Sequence, residues 1–498
     1  MQSILTVSGV TGSWTYGYDS ANRLLTTLNP YGETATNVYD VANRLTSTTN
    51  GNASVSTFGY DNANRTTSVT HSTSSSATLA SYQYTYDSAS NVSSRTDSDG
   101  TVTTFGYDSS DQLTSEVRDN SHSTGYSIAF VYDHNGNRTS KVQNGVTTTY
   151  SYDNHDKLTA AGSKTYGYDL NGNCTTVSVG TNTTTLTYDI ENRVVGIAYP
   201  GGGSNSFAYN GDDLRTQKVD SSGTQNYVTD GSSPASAVLK DGNAVYTPGL
   251  SERRGSASKF YHGDALGSTR GITDSTQAVT DSQLYDAFGN TMSKTGTTPT
   301  PFGFVGKAQY QSDSDSGLQL LGHRYYDPSL GRFLSSDPIQ AGDNWYAYCD
   351  NNPLKRTDPE GLQAKGPAVG YKPGYLDGVS GSWPIYKDGS VGDFIPDHPG
   401  ATDPKKGHDR GRNTKTRGGV EHSRVPKGGG NQSRGGRHIA MPEPKDYFPI
   451  MSEPYYPPPP NAWKPILIGV GVVAVIGLVG TGQWEFAIPI AAKLAEQF

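Results

Sequence analysis

The chain has 498 residues, of which only 17% are charged, while glycine (59) and tyrosine (33) are abundant alongside serine and threonine. That is too aromatic for a disordered protein and too polar for a conventional packed core, so the length points to one large β-structure with appendages. A net charge of −8 argues against nucleic acid as a partner of the whole chain, and two cysteines, Cys174 and Cys349, offer neither metal spacing nor a disulfide framework.

The first residues, Met1 to Val7, lack the basic start and long apolar run of a signal peptide. Tyr-Asp pairs then begin at Tyr18, Tyr39, Tyr60, Tyr86, Tyr107, Tyr132, Tyr152, Tyr168 and Tyr188, and a Tyr209-Asn210 variant follows. Most units continue as Asp-x-x-x-Arg-Leu or Asp-x-x-Gly-Asn, as at Asn22-Arg23-Leu24, Asn43-Arg44-Leu45 and Asn171-Gly172-Asn173. A unit of about 20 residues suits two short strands and two turns. Helical periodicity is absent, and Asn-Gly and Asp-Gly beside alternating Thr, Val and Tyr signal hairpins. The fold expected is therefore all-β, with hairpin units stacked into one spiralling antiparallel sheet, because each unit must bury its aromatic face on its neighbours.

Residues 1–214 read as the regular part of this sheet and residues 215–315 as its irregular continuation, carrying Tyr261 to Arg270 and the unit Tyr285-Asp286. His262 and Asp264 read there as a turn histidine beside stacked tyrosines, rather than as an acid–base pair or metal site. No metal and no other cofactor is expected.

Residues 316–362 break the pattern. Three Asp-Pro dipeptides start at Asp327, Asp337 and Asp358, with Gly331-Arg332-Phe333, Trp345-Tyr346-Ala347-Tyr348 and Asn351-Asn352-Pro353 between them. Asp-Pro is by default turn chemistry. The order of these residues from Ser316 to Leu362 resembles the repeat-associated core of Rhs polymorphic toxins and of the C component of Tc toxins, and the Tyr-Asp units resemble the YD repeats of the same family. The resemblance covers about residues 10 to 362. It implies a β-shell closed around cargo, ending in an aspartic-type self-cleaving site that cuts after the leucine of a terminal Asp-Pro-x-Gly-Leu. Carried over to this sequence, the catalytic aspartates are Asp337 and Asp358, the supporting arginine is Arg324, and the scissile bond is Leu362–Gln363. The chemistry is reasonable, because two carboxylates brought close cannot both ionise, so one keeps a proton and the other can activate water. A nearby arginine would offset their charge and hold geometry with its planar fork.

Composition shifts at Gln363. Residues 363–464 read as a variable, partly disordered, basic and proline-rich tail, with ten basic residues against two acids from Lys405 to Arg437. Residues 465–498 read as a hydrophobic helix in which Ile466 to Gln483 reaches about the minimum length of a membrane span. The expected function is a secreted or surface-delivered Rhs-type shell that carries its own C-terminal tail and releases it by autoproteolysis. Membrane lipid, met through 466–483, and an immunity protein are the partners this implies. One rival is a membrane-tethered surface protein whose repeats bind carbohydrate or another cell. The weakest is a tail acting as a nuclease through His408, His422 and His438.

Overall fold

The computed structural model describes residues 2–122 and 125–362, and beyond them, as backbone alone, the strands Gly370–Leu376, Val379–Ile385 and Ile395–Pro396. Those last three form a small antiparallel sheet. Gln363, the basic run 405–437 and the hydrophobic segment 465–498 lie outside the described residues. Among the described residues no helix is long and apolar enough to cross a membrane, and helix is limited to two short 3-10 turns, Gly306–Ala308 and Cys349–Asn351.

The chain is nearly all antiparallel β-sheet, as the repeats predict. A first sheet of 22 strands runs from Gln2–Thr6 to Gly223–Asn226, each strand pairing with the next along the chain. The Tyr-Asp unit works through its turn. Asp19 Oδ1 accepts from the backbone N–H groups of Ala21 and Arg23, both at 2.9 Å, and Oδ2 takes Arg23 Nε at 2.7 Å. Asn22 sits at φ +61, a left-handed position that Asn, Asp and Gly tolerate best. The following unit is then gripped twice. Arg23 Nη1 donates to the Asp40 carbonyl and to Asn43 Oδ1, and its guanidinium lies 4.9 Å over the Tyr39 ring. Tyr39 returns the contact by donating its hydroxyl to the Leu24 carbonyl at 3.0 Å. Arg44 with Tyr60 and Arg65 with Tyr86 repeat the stack. Each such half-exposed pair or cation–π contact is worth only about 0.5–1 kcal/mol, so the row as a whole, rather than any one link, holds the units in register.

A second sheet has eight strands, from Val228–Thr229 to Thr291–Thr295, and a third has four, from Gln311–Ser312 to Arg332–Phe333. Both pack on the first. Leu239 joins Leu5, Trp14 and Tyr16 in one core cluster. Phe288, Tyr310, Tyr326, Phe333 and Tyr348 join Phe105, Leu113, Ile128 and Phe130 in another, and Leu320, Tyr325 and Leu334 join Leu158, Leu186 and Phe207 in a third.

Candidate self-cleavage site

Residues 332–355 are clipped to the row of Tyr-Asp turns by polar side chains. Asn352 donates its amide to Asn91 Oδ1 at 2.9 Å and to the Asp111 carbonyl at 2.8 Å. Asn351 reaches the Gly136 carbonyl and Tyr346 the Gly172 carbonyl, each at 2.8 Å. Lys355 Nζ stands 2.9 Å from Asp111 Oδ2. The Asn-Asn-Pro and Trp-Tyr-Ala-Tyr motifs thus read the shell's repeat and anchor the site to it.

All three Asp-Pro dipeptides do form turns, and two of those turns also build the site. Asp327 Oδ1 accepts the Ser329 N–H at 2.8 Å and takes no part in it. Asp337 accepts the Ile339 N–H on Oδ1 at 3.0 Å and the Ala341 N–H on Oδ2 at 3.2 Å. Asp358 Oδ1 accepts the Leu362 N–H at 3.0 Å. Arg324, Asp337 and Asp358 are all buried. The Arg324 guanidinium organises the group. Its Nε donates to the Gly361 carbonyl, its Nη1 donates to the Trp345 carbonyl at 2.9 Å, and its Nη2 lies 3.7 Å from Asp358 Oδ2. The flat cation rests 3.7 Å over the Phe333 ring. The Trp345 carbonyl also accepts the Asp337 N–H at 3.0 Å, so one backbone oxygen ties Arg324 to Asp337.

The electrostatics follow from burial. Loss of water raises the Asp358 carboxyl above its ordinary range. The Arg324 charge and the Leu362 N–H pull the other way, and the Asp337 charge adds to the rise. Burial likewise lowers Arg324, against the pull of both carboxylates. The structure therefore brings Arg324, Asp337 and Asp358 together beside Leu362, the last residue before the expected cut; Gln363 is outside the described residues.

Glycine is required in the final turn. Gly361 has φ +64, and a Cβ there would stand 2.2 Å from the Leu321 carbonyl oxygen; at Gly322, φ +50, it would stand 2.3 Å from the Glu360 oxygen. The turn is docked so tightly on Leu321–His323 that the His323 N–H donates to the Glu360 carbonyl at 3.0 Å.

Sequence reasoning missed Tyr310. Its buried hydroxyl accepts the Asp358 N–H at 2.6 Å and lies 3.1 Å from the Tyr348 hydroxyl, so it fixes the backbone that carries Asp358. Nothing in the local sequence around Tyr310 signals this, because its partner lies far along the chain. The reading of His262 needs correction. It lies in the strand Ala257–Gly263, where its ring packs edge-on against His71 at 4.9 Å, and the turn starts only at Asp264, which caps the Leu266 and Ser268 N–H groups.

Comparisons with known proteins agree with this architecture. The RHS Repeat family matches residues 39–76 and 86–124, and the Teneurin YD-shell family matches residues 248–355. The chain is an Rhs/YD-repeat shell protein. The tRNA3(Ser)-specific nuclease WapA of Bacillus spizizenii is 30% identical over 46% of this chain and 9% of its own length. The double-stranded DNA deaminase toxin A of Burkholderia cenocepacia is 31% identical over 36% of this chain and 13% of its own length. The Rhs chain described here thus spans a small part of these relatives. Two solved structures share its fold: the TcdB2-TccC3 crystal structure, at 21% identity and TM-score 0.56 over 70% of this chain and 22% of that one, and the Photorhabdus luminescens Tc holotoxin pore, at 20% identity and TM-score 0.57 over 71% and 21%.

Proposed function

We propose that residues 1–362 are the carrier shell of a secreted or surface-delivered polymorphic toxin, and that this shell cuts its own chain between Leu362 and Gln363 to free the C-terminal segment. The observation that carries the reading is the bond from the Leu362 N–H to Asp358 inside a buried site shared with Asp337 and Arg324. Asp358, whose carboxyl is raised by burial, serves as the acid. Asp337 serves as the base that takes a proton from the attacking water. The water oxygen bonds to the Leu362 carbonyl carbon, the Leu362–Gln363 bond breaks, and the Gln363 nitrogen leaves as an amine. Arg324 holds the Gly361 carbonyl and steadies the carboxylate charge.

Relatives named for different activities, a tRNA nuclease and a DNA deaminase toxin, resemble this chain, which suits a common carrier with an exchangeable effector. The freed tail is then the effector and the shell's cargo, and an immunity protein would protect the producing cell. Membrane insertion through 466–483 is the activity the tail's own sequence favours. A tail acting on nucleic acid is the second reading, favoured by the basic run 405–437 and by the nuclease relatives. Asp337→Asn and Asp358→Asn test the proposal: each should leave the purified chain whole while the wild type appears as two pieces, and cleavage persisting in both variants overturns it.

A further inference from the structure

The first and second sheets enclose a cavity of about 540 Å³, within the size range of small-molecule sites. Buried Tyr82, Arg118, Tyr126 and Arg270 form its floor, and exposed Asn144, Ser282 and Ser293 stand at its mouth. Three guanidinium groups converge below on one carboxylate. Arg95 Nε is 2.9 Å from Asp97 Oδ1, Arg118 Nη1 is 2.8 Å from Oδ2, and Arg270 Nη2 is 3.6 Å from the same oxygen. A second carboxylate, Asp264, reaches only Arg270, at 3.6 Å, and spends its other oxygen on the turn.

Asp99 interacts with Arg118 and Glu116 with Arg95, so what this cluster offers a ligand is hydrogen-bond donors rather than an excess of charge. Asp99 lies at the exposed mouth, where solvent screens it. Glu116, raised by burial and by the Asp286 charge, accepts from the Tyr126 hydroxyl and the Ala287 N–H. Arg270 Nη1, whose nearest carboxylate oxygen is Asp264 Oδ2 at 3.6 Å, and Arg95 Nη2 are buried without a hydrogen-bond partner among the described residues. Burying cationic donors unmet is costly, so a pre-formed cluster of this kind suits an incoming acceptor.

We infer that this cavity binds a small oxyanion-bearing ligand, a carboxylate or a phosphate, seated on Arg118 and Arg270 with Tyr82 and Tyr126 against its body. Such a ligand would touch both sheets and tie them together. The test is calorimetric titration of the full chain with glucuronate, inorganic phosphate and glucose. One of the two anions should bind and raise the thermal midpoint while neutral glucose does neither, and the anion that binds identifies the source of the oxyanion. Arg270→Gln should weaken binding at least about tenfold, the loss expected for one charge-assisted hydrogen bond. Because Arg270 is buried, Ser293→Trp at the exposed mouth gives a second reading: it should block binding while the circular dichroism spectrum stays that of the wild type. Failure of both anions to bind, equal binding of glucose, or anion binding that survives Ser293→Trp overturns the inference.

Discussion

Acid should loosen the joint between the two large sheets. His71 lies on the strand Thr66–Ser72 of the first sheet and His262 on Ala257–Gly263 of the second. Their rings meet at 4.9 Å, with His71 bonded to Ser56 Oγ at 2.8 Å and to the Gly263 carbonyl at 2.7 Å, and His262 bonded to Thr273 Oγ1 at 2.9 Å. Burial lowers His71 to about 4 and His262 to about 3. Asp264 partly opposes the fall at His71, and His71 itself adds to the fall at His262. In the unfolded chain both titrate near pH 6.5. Each pocket therefore contributes stability that is fully present above about pH 6.5 and is lost as the pH falls toward the folded values. At pH 5 the unfolded chain binds nearly one more proton per site, so each histidine costs about 2 kcal/mol relative to neutral pH. Urea denaturation at pH 7 and pH 5 measures the loss. His71→Gln with His262→Gln should flatten the difference by a large part of about 4 kcal/mol, treating the two sites as independent. An unchanged pH dependence in the double variant would refute the reasoning.

Other consequences can be measured singly. Gly361→Ala must place a Cβ beside the Leu321 carbonyl and hold a left-handed backbone that costs about 1–2 kcal/mol. It should slow self-cleavage at least about tenfold, followed as product appearing after cell-free synthesis. Asn352→Ala removes two bonds to the Tyr-Asp turns, each worth about 1 kcal/mol, and should lower the denaturation free energy by about 2 kcal/mol. A peptide of residues 405–498 should partition onto anionic vesicles and stay partly bound in high salt. Val473→Asp with Ile476→Asp should abolish the salt-resistant part, since a charge at a helix centre costs about 2.5–3.5 kcal/mol.

The repeat was legible because its chemistry is local. Asp19 caps amides two and four residues on, the residue before Arg23 must adopt a left-handed conformation, and Arg23 answers its own aspartate. The same locality made Asp337 and Asp358 nameable as turn formers, and the resemblance of their stretch to the Rhs core made them candidate site residues. What escaped was long-range. Tyr310 acts through the amide of Asp358, and Arg324 meets Asp337 through the Trp345 carbonyl, contacts that no spacing encodes. Asp97 gathers arginines from two sheets, and pairing between sheets leaves no period in the sequence. His262 stood next to a turn signal, but it pairs with Gly271 as an ordinary strand residue and the register shifts only after it.

The most direct measurement of the central claim is the intact mass of the purified full chain, with the N-terminal sequence of any product. Self-cleavage at the buried Arg324–Asp337–Asp358 site predicts two species whose masses sum to the 53.1 kDa chain plus one water, the smaller beginning at Gln363. A single uncut species, or a cut at any other bond, would contradict it.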